Sequence, residues 1–164
     1  MKKIYILFFV TFSWFISKSQ NPNIPFENIK QLIKQADPKA NIDDKLIFVS
    51  FWTPANNESR ELNKEIQRVQ NIYQIAKLKG GSKGLYFFNY CVAEDVLNYK
   101  LALKRDSLQT RSSLIQNEET KPLINNLSAS QVPLTILYNS IGEVLDNNTK
   151  KEDVFKLISK QITR

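Results

Sequence analysis

Residues 46–52 read Leu-Ile-Phe-Val-Ser-Phe-Trp: one serine in an otherwise apolar run rich in β-branched and aromatic side chains. A strand with one wet face alternates polar and apolar residues; this one does not, which is the pattern of a central strand covered on both faces. Pro54 breaks the run. Downstream, Leu62, Ile66, Val69, Tyr73 and Ala76 recur at three- and four-residue spacing, which predicts one long helix over 57–79. A turn at Gly80, Gly81 and Gly84 leads to a second apolar strand over 85–92.

Other elements fall around this pair. Ile29, Leu32 and Ile33 predict a helix over 26–36, ended by Asp37-Pro38. Glu94 and Asp95 stand where the next helix begins, on the side the helix dipole favours, and that helix runs to about Arg105. Residues 106–126 are polar, with no clear element. Pro133 precedes a third strand over 134–138, and Glu143-Val144-Leu145 pairs back on it across Asn139-Ser140-Ile141-Gly142. Thr149-Lys150-Lys151-Glu152 has the form of a capping box for a final helix carrying Val154, Phe155, Leu157, Ile158 and Ile162. The order α-β-α-β-α-β-β-α predicts an α/β fold: a central mixed β-sheet of about four strands flanked by helices. With 164 residues, 42% of them hydrophobic, the chain supports one domain rather than two.

The first nineteen residues read as an address. Met1-Lys2-Lys3 is a basic head, and Ile4 to Ile16 carries no charge. Thirteen helical residues span about 20 Å, short of the roughly 30 Å hydrocarbon core. Ser17-Lys18-Ser19 puts small residues at the −3 and −1 positions of a cleavage site. The expectation is a signal peptide over 1–19, cut before Gln20, then a lead-in over 20–28 and a domain over 29–164. The expected location is periplasmic or secreted, with membrane contact only through the leader before cleavage. No cysteine stands at the cut, so a lipoprotein is not expected.

Losing Lys2, Lys3 and Lys18 leaves 20 basic side chains against 16 acidic ones, net +4. The basic residues are scattered, which argues against nucleic acid as a partner. Histidine is absent and there is one cysteine. These counts exclude Ser-His-Asp and Cys-His nucleophiles, an intramolecular disulfide and a cysteine-rich metal site. No catalytic residue, metal or cofactor is expected.

Three features together carry a resemblance: an apolar strand ending in Phe51-Trp52, a long helix after it, and a late Val132-Pro133 before a hairpin. The chain resembles the thioredoxin-like superfamily, and within it extracytoplasmic thiol–disulfide oxidoreductases of the TlpA type, which typically read Phe-Trp-Ala-x-Trp-Cys-x-x-Cys-Arg. Residues 51–60, Phe-Trp-Thr-Pro-Ala-Asn-Asn-Glu-Ser-Arg, align with that pattern without a gap, and 131–137 with 142–144 are similar to the family's cis-proline segment and hairpin. The alignment sets Asn56 and Ser59 at the two cysteine positions. A carboxamide cannot attack a disulfide, and a lone serine has no base here to activate it.

The resemblance therefore implies a redox-inactive binding or scaffold module for a periplasmic peptide or protein. Trp52, Pro54, Asn56, Asn57, Ser59, Val132 and Pro133 match the family's active-site face. Trp52 also reads as core packing, and Ser59 as a first-turn capping group. The alternative is a thiol–disulfide oxidoreductase using Cys91 with an external thiol. Cys91 lies near the end of an apolar strand, where a cysteine is commonly a small buried hydrophobe.

Overall fold

A computed structural model describes residues 24–79, 83–125 and 127–162. The expected leader with its cut before Gln20, and Gly80 and Gly81 of the expected turn, lie outside the described residues.

The elements are α1 (Phe26–Ala36), β1 (Leu46–Trp52), α2 (Asn57–Tyr73), β2 (Leu85–Cys91), α3 (Val96–Arg105), β3 (Ser113–Ile115), β4 (Leu134–Tyr138), β5 (Val144–Asn147) and α4 (Val154–Ser159). They build a mixed sheet ordered β3-β2-β1-β4-β5. Strands β1, β2 and β3 run parallel; β4 is antiparallel to β1, and β5 to β4. The apolar run of 46–52 is thus the middle strand, buried along its whole length.

Strand alternation divides the core. Ile47, Val49 and Phe51, with Phe88, Tyr90, Ile136 and Tyr138, pack under α1 through Ile29, Leu32 and Ile33. On the other face, Leu46, Phe48, Phe87 and Leu137 meet Leu62, Ile66 and Val69 of α2 and Val154 and Ile158 of α4. Beyond them Trp52 and Cys91 pack with Tyr99, Ala102 and Leu103 of α3. Gly84 and Gly142, at φ +90° and +91°, make turns in which a side chain would run into the Gln74 carbonyl and the Phe26 ring respectively.

The structure departs from the sequence reading at three points. The sheet has five strands: β3 arises in the polar 106–126 stretch and pairs Asn89↔Ser113, Tyr90↔Leu114 and Cys91↔Ile115. Helix α2 stops at Tyr73, not near Lys79, because Leu78 turns into the core at 2% exposure and bridges to Ile162. The capping box at Thr149 does not form. The Thr149 hydroxyl donates to Asp146 Oδ2, and a 3-10 turn at Lys151–Asp153 leads into a helix of six residues.

Candidate functional site

Where β1 ends at Trp52, the chain turns through Thr53-Pro54-Ala55 into α2. Asn56 caps that helix: it is extended (φ −89°, ψ 109°), and its Oδ1 accepts from the Ser59 N–H at 2.9 Å. Its Nδ2 donates to the Val132 carbonyl at 3.3 Å. One side chain therefore fastens the helix start to a segment 76 residues away. The Val132–Pro133 bond is cis. Before it, Gln131 Oε1 accepts from the Ser128 N–H at 2.9 Å and closes a 3-10 turn at Ala129–Gln131.

The structure thus brings Pro54, Asn56, Asn57, Val132 and Pro133 to one seam, with Asn57 exposed and Val132 nearly covered. Trp52 and Ser59 lie beneath it, each at 0% exposure, and so neither can touch a partner. The Trp52 indole N–H donates to Asn89 Oδ1 at 3.2 Å, which accounts for this aromatic as core. The Ser59 hydroxyl is 2.9 Å from the Asn56 carbonyl and 3.3 Å from that of Thr53, and donates back to the turn. It is Asn56, not Ser59, that supplies the cap.

Cys91 is the register partner of Trp52 and is also 0% exposed. Burial pushes its thiol up to about 12, the opposite of what a reactive thiolate needs. Among the described residues, no cluster of three or more His, Cys, Asp or Glu could hold a metal ion.

Two grooves flank the seam. One, of about 690 Å³, runs between Thr53-Pro54-Ala55 and α3, with Ala93, Leu101 and Ala102 on its far wall and Asp95 and Arg105 among its polar lining. It is mostly apolar. Leu101 on that wall is 55% exposed, and Val96 and Leu97 of the same helix are exposed at 47% and 69%. The other groove, about 500 Å³, lies past Pro133 and carries Glu58, Glu61, Lys150 and Lys151. The contribution of α3 was missed in the sequence; its signal was Leu97 and Leu101, an apolar i,i+4 pair on a helix otherwise anchored by Tyr99, Ala102 and Leu103.

An N-capped helix after a central strand, a cis X-Pro turn facing that cap, and the β3-β2-β1-β4-β5 order point one way. The fold is thioredoxin-like. Solved structures bear this out. The thioredoxin domain of a thiol-disulfide oxidoreductase from Bacteroides vulgatus superposes with a TM-score of 0.59 at 16% identity, over 74% of this chain and 82% of that one. A thiol:disulfide interchange protein from Chlorobium tepidum gives 0.57 at 16% identity, over 74% and 83%. A secreted disulfide oxidoreductase from Mycobacterium tuberculosis gives 0.54 at 14% identity, over 73% and 84%. No family model and no curated protein matches the chain. Among the described residues, no helix of this thioredoxin-like chain is long and apolar enough to cross a membrane.

Proposed function

We propose that this chain is a redox-inactive thioredoxin-like module that holds a peptide or protein partner at the seam between the start of α2 and Val132-Pro133. The observation that carries the reading is the use made of Asn56. At the position of the first cysteine in the resembling pattern, this side chain has both polar ends in structural hydrogen bonds. Nothing nucleophilic is left there, and the lone thiol is buried on β2. What remains is a surface: a mostly apolar groove with Leu101 on its wall, and the backbone of the segment ahead of Pro133.

The leader-like first nineteen residues support a periplasmic or secreted location, as does the likeness to a disulfide oxidoreductase described as secreted. Two experiments test the reading. Disulfide reduction driven by a chemical reductant should run at background in wild type and in Cys91→Ala. Turnover lost in the variant would establish the oxidoreductase instead. Photocrosslinking in intact cells from position 57 should capture a partner, and Leu101→Glu should abolish the capture while leaving the melting temperature nearly unchanged, since Leu101 is 55% exposed. Capture undiminished by Leu101→Glu would move the partner off this groove.

A further inference from the structure

Between the two apolar clusters that α2 and α3 make with the sheet lies a band of polar side chains. Ser50 on β1 and Asn89 on β2 are register partners, and both point to the α2 side, because each stands two residues from, and so on the same face as, Phe48 and Trp52 or Phe87 and Cys91. Asn63 reaches the same layer from above. It follows Ser59 by about one helical turn, and Ser59 already lies against the Thr53 carbonyl. A turn of helix advances about 5.4 Å and a strand about 3.3 Å per residue, so Asn63 stands over the Ser50–Trp52 stretch. All three residues are at 0% exposure.

Four of their polar atoms have no protein partner: Ser50 Oγ, Asn63 Nδ2 and Oδ1, and Asn89 Nδ2. The neighbouring polar groups are already engaged. Asn89 Oδ1 accepts from Trp52, Thr135 Oγ1 accepts from the Thr149 N–H at 2.7 Å, and Gln67 Oε1 accepts from the Gln109 N–H at 3.3 Å. Buried polar groups are almost always paired, and a cluster left open together marks a place for a bound polar molecule.

We infer that Ser50, Asn63 and Asn89 form an internal water site beneath the start of α2. The chemistry of the open atoms selects the ligand. Two amide nitrogens donate, one amide oxygen accepts, and one hydroxyl does either, which matches a water that accepts two hydrogen bonds and donates two. All three side chains are uncharged, so an ion there would be buried without a counter-charge. The bound water closes the helix–sheet joint that the direct contacts leave open.

The test is water–protein NOE and ROE spectroscopy on the uniformly ¹⁵N-labelled protein. The side-chain amides of Asn63 and Asn89 should show cross-peaks to water with the sign of a long-lived bound molecule. Absence of both peaks overturns the site. Ser50→Ala removes relay through an exchanging hydroxyl, and the peaks should persist; their loss would assign them to the hydroxyl and overturn the site. Asn63→Leu fills the layer with an apolar group and should abolish the Asn89 peak, whereas a retained peak would overturn the shared site. Where Asn63→Leu does not fold, the wild-type and Ser50→Ala spectra decide on their own.

Discussion

Arg60 grips Asp106 with two hydrogen bonds, Nε to Oδ2 at 2.7 Å and Nη2 to Oδ1 at 2.6 Å. The carboxylate is 0% exposed and the guanidinium side chain 13%. Lys64 and Arg105 add longer contacts to the same Oδ1, at 3.7 and 3.6 Å. Asp106 is also the C-terminal cap of α3, its N–H donating to the Ala102 carbonyl at 2.9 Å. The pair therefore joins the first turn of α2 to the last turn of α3, the helix that forms one wall of the apolar groove.

Removing Arg60 takes two short hydrogen bonds from the covered Asp106 carboxylate and leaves it only the longer Lys64 and Arg105 contacts. Arg60→Ala is expected to cost about 1.5–3 kcal/mol in denaturant unfolding, and Asp106→Ala a similar amount. The double variant Arg60→Met, Asp106→Leu should recover most of that loss. A loss under about 1 kcal/mol in the single variants would mean that the pair behaves as a surface ion pair.

The two bonds of Asn56 can be separated by substitution. Asn56→Asp keeps an acceptor for the Ser59 N–H and adds a charge that the helix N-terminus favours, but it cannot donate to the Val132 carbonyl. Asn56→Ala loses both, with an expected cost of about 1 kcal/mol for the cap plus a further loss for the carbonyl contact. Chemical denaturation should thus rank wild type above Asn56→Ala, with Asn56→Asp clearly more stable than Asn56→Ala. Equal stabilities for the two variants would show that the cap contributes nothing.

Cys91 should be silent to an aromatic disulfide reagent in the native protein and react once per chain in denaturant, because its sulfur is covered and its thiol held up to about 12 by burial. Native-state labelling at a rate near that of a free thiol would contradict its position on β2.

Alkali should unfold the protein from a definable point. Burial raises Cys91 from 9.0 to about 12, and Tyr86, Tyr90 and Tyr138 from 10.0 to about 12. Each group has the higher value in the folded state, so the folded chain holds its protons longer and stability falls as pH rises. The contribution is complete below about pH 9 and is lost between there and about pH 12. Circular dichroism against pH should show a plateau on the neutral side and a cooperative loss in that window. Tyrosinate absorbance reaching the amplitude of all six tyrosines near pH 10, before any loss of structure, would place these rings in water.

Much of the fold was legible because its strongest signals are local. The unbroken apolar run of β1, the 3.6-residue period of Leu62, Ile66 and Val69, and the Gly142 turn each demand one conformation. What was illegible depends on partners distant in sequence. Strand β3 is three residues, Ser-Leu-Ile, with no pattern of its own, and it exists because β2 offers an open edge to pair with. The end of α2 is decided by Leu78 finding the core next to Ile162, not by any stop signal near Tyr73. At the site, the alignment of Asn56 and Val132 with a known pattern located the seam. Trp52 as core was already legible at the end of an apolar strand; that Ser59 lies beneath the seam, and that Asn63 is buried with both amide ends open, required the helix to be set on the sheet.

The position of β1 in the sheet also governs when the chain can fold. Its parallel partner β2 follows after about forty residues, but its antiparallel partner is Ile47↔Tyr138, with the terminal helix α4 later still. Closing loops of that size comes before any pairing energy is gained, so folding is expected to be slower than in a helical bundle of equal stability. During synthesis one edge of this strongly hydrophobic strand stays unpaired until β4, about ninety residues later, has emerged. That interval, more than any weakness of the finished sheet, is when this protein is most exposed to aggregation and most dependent on being held unfolded.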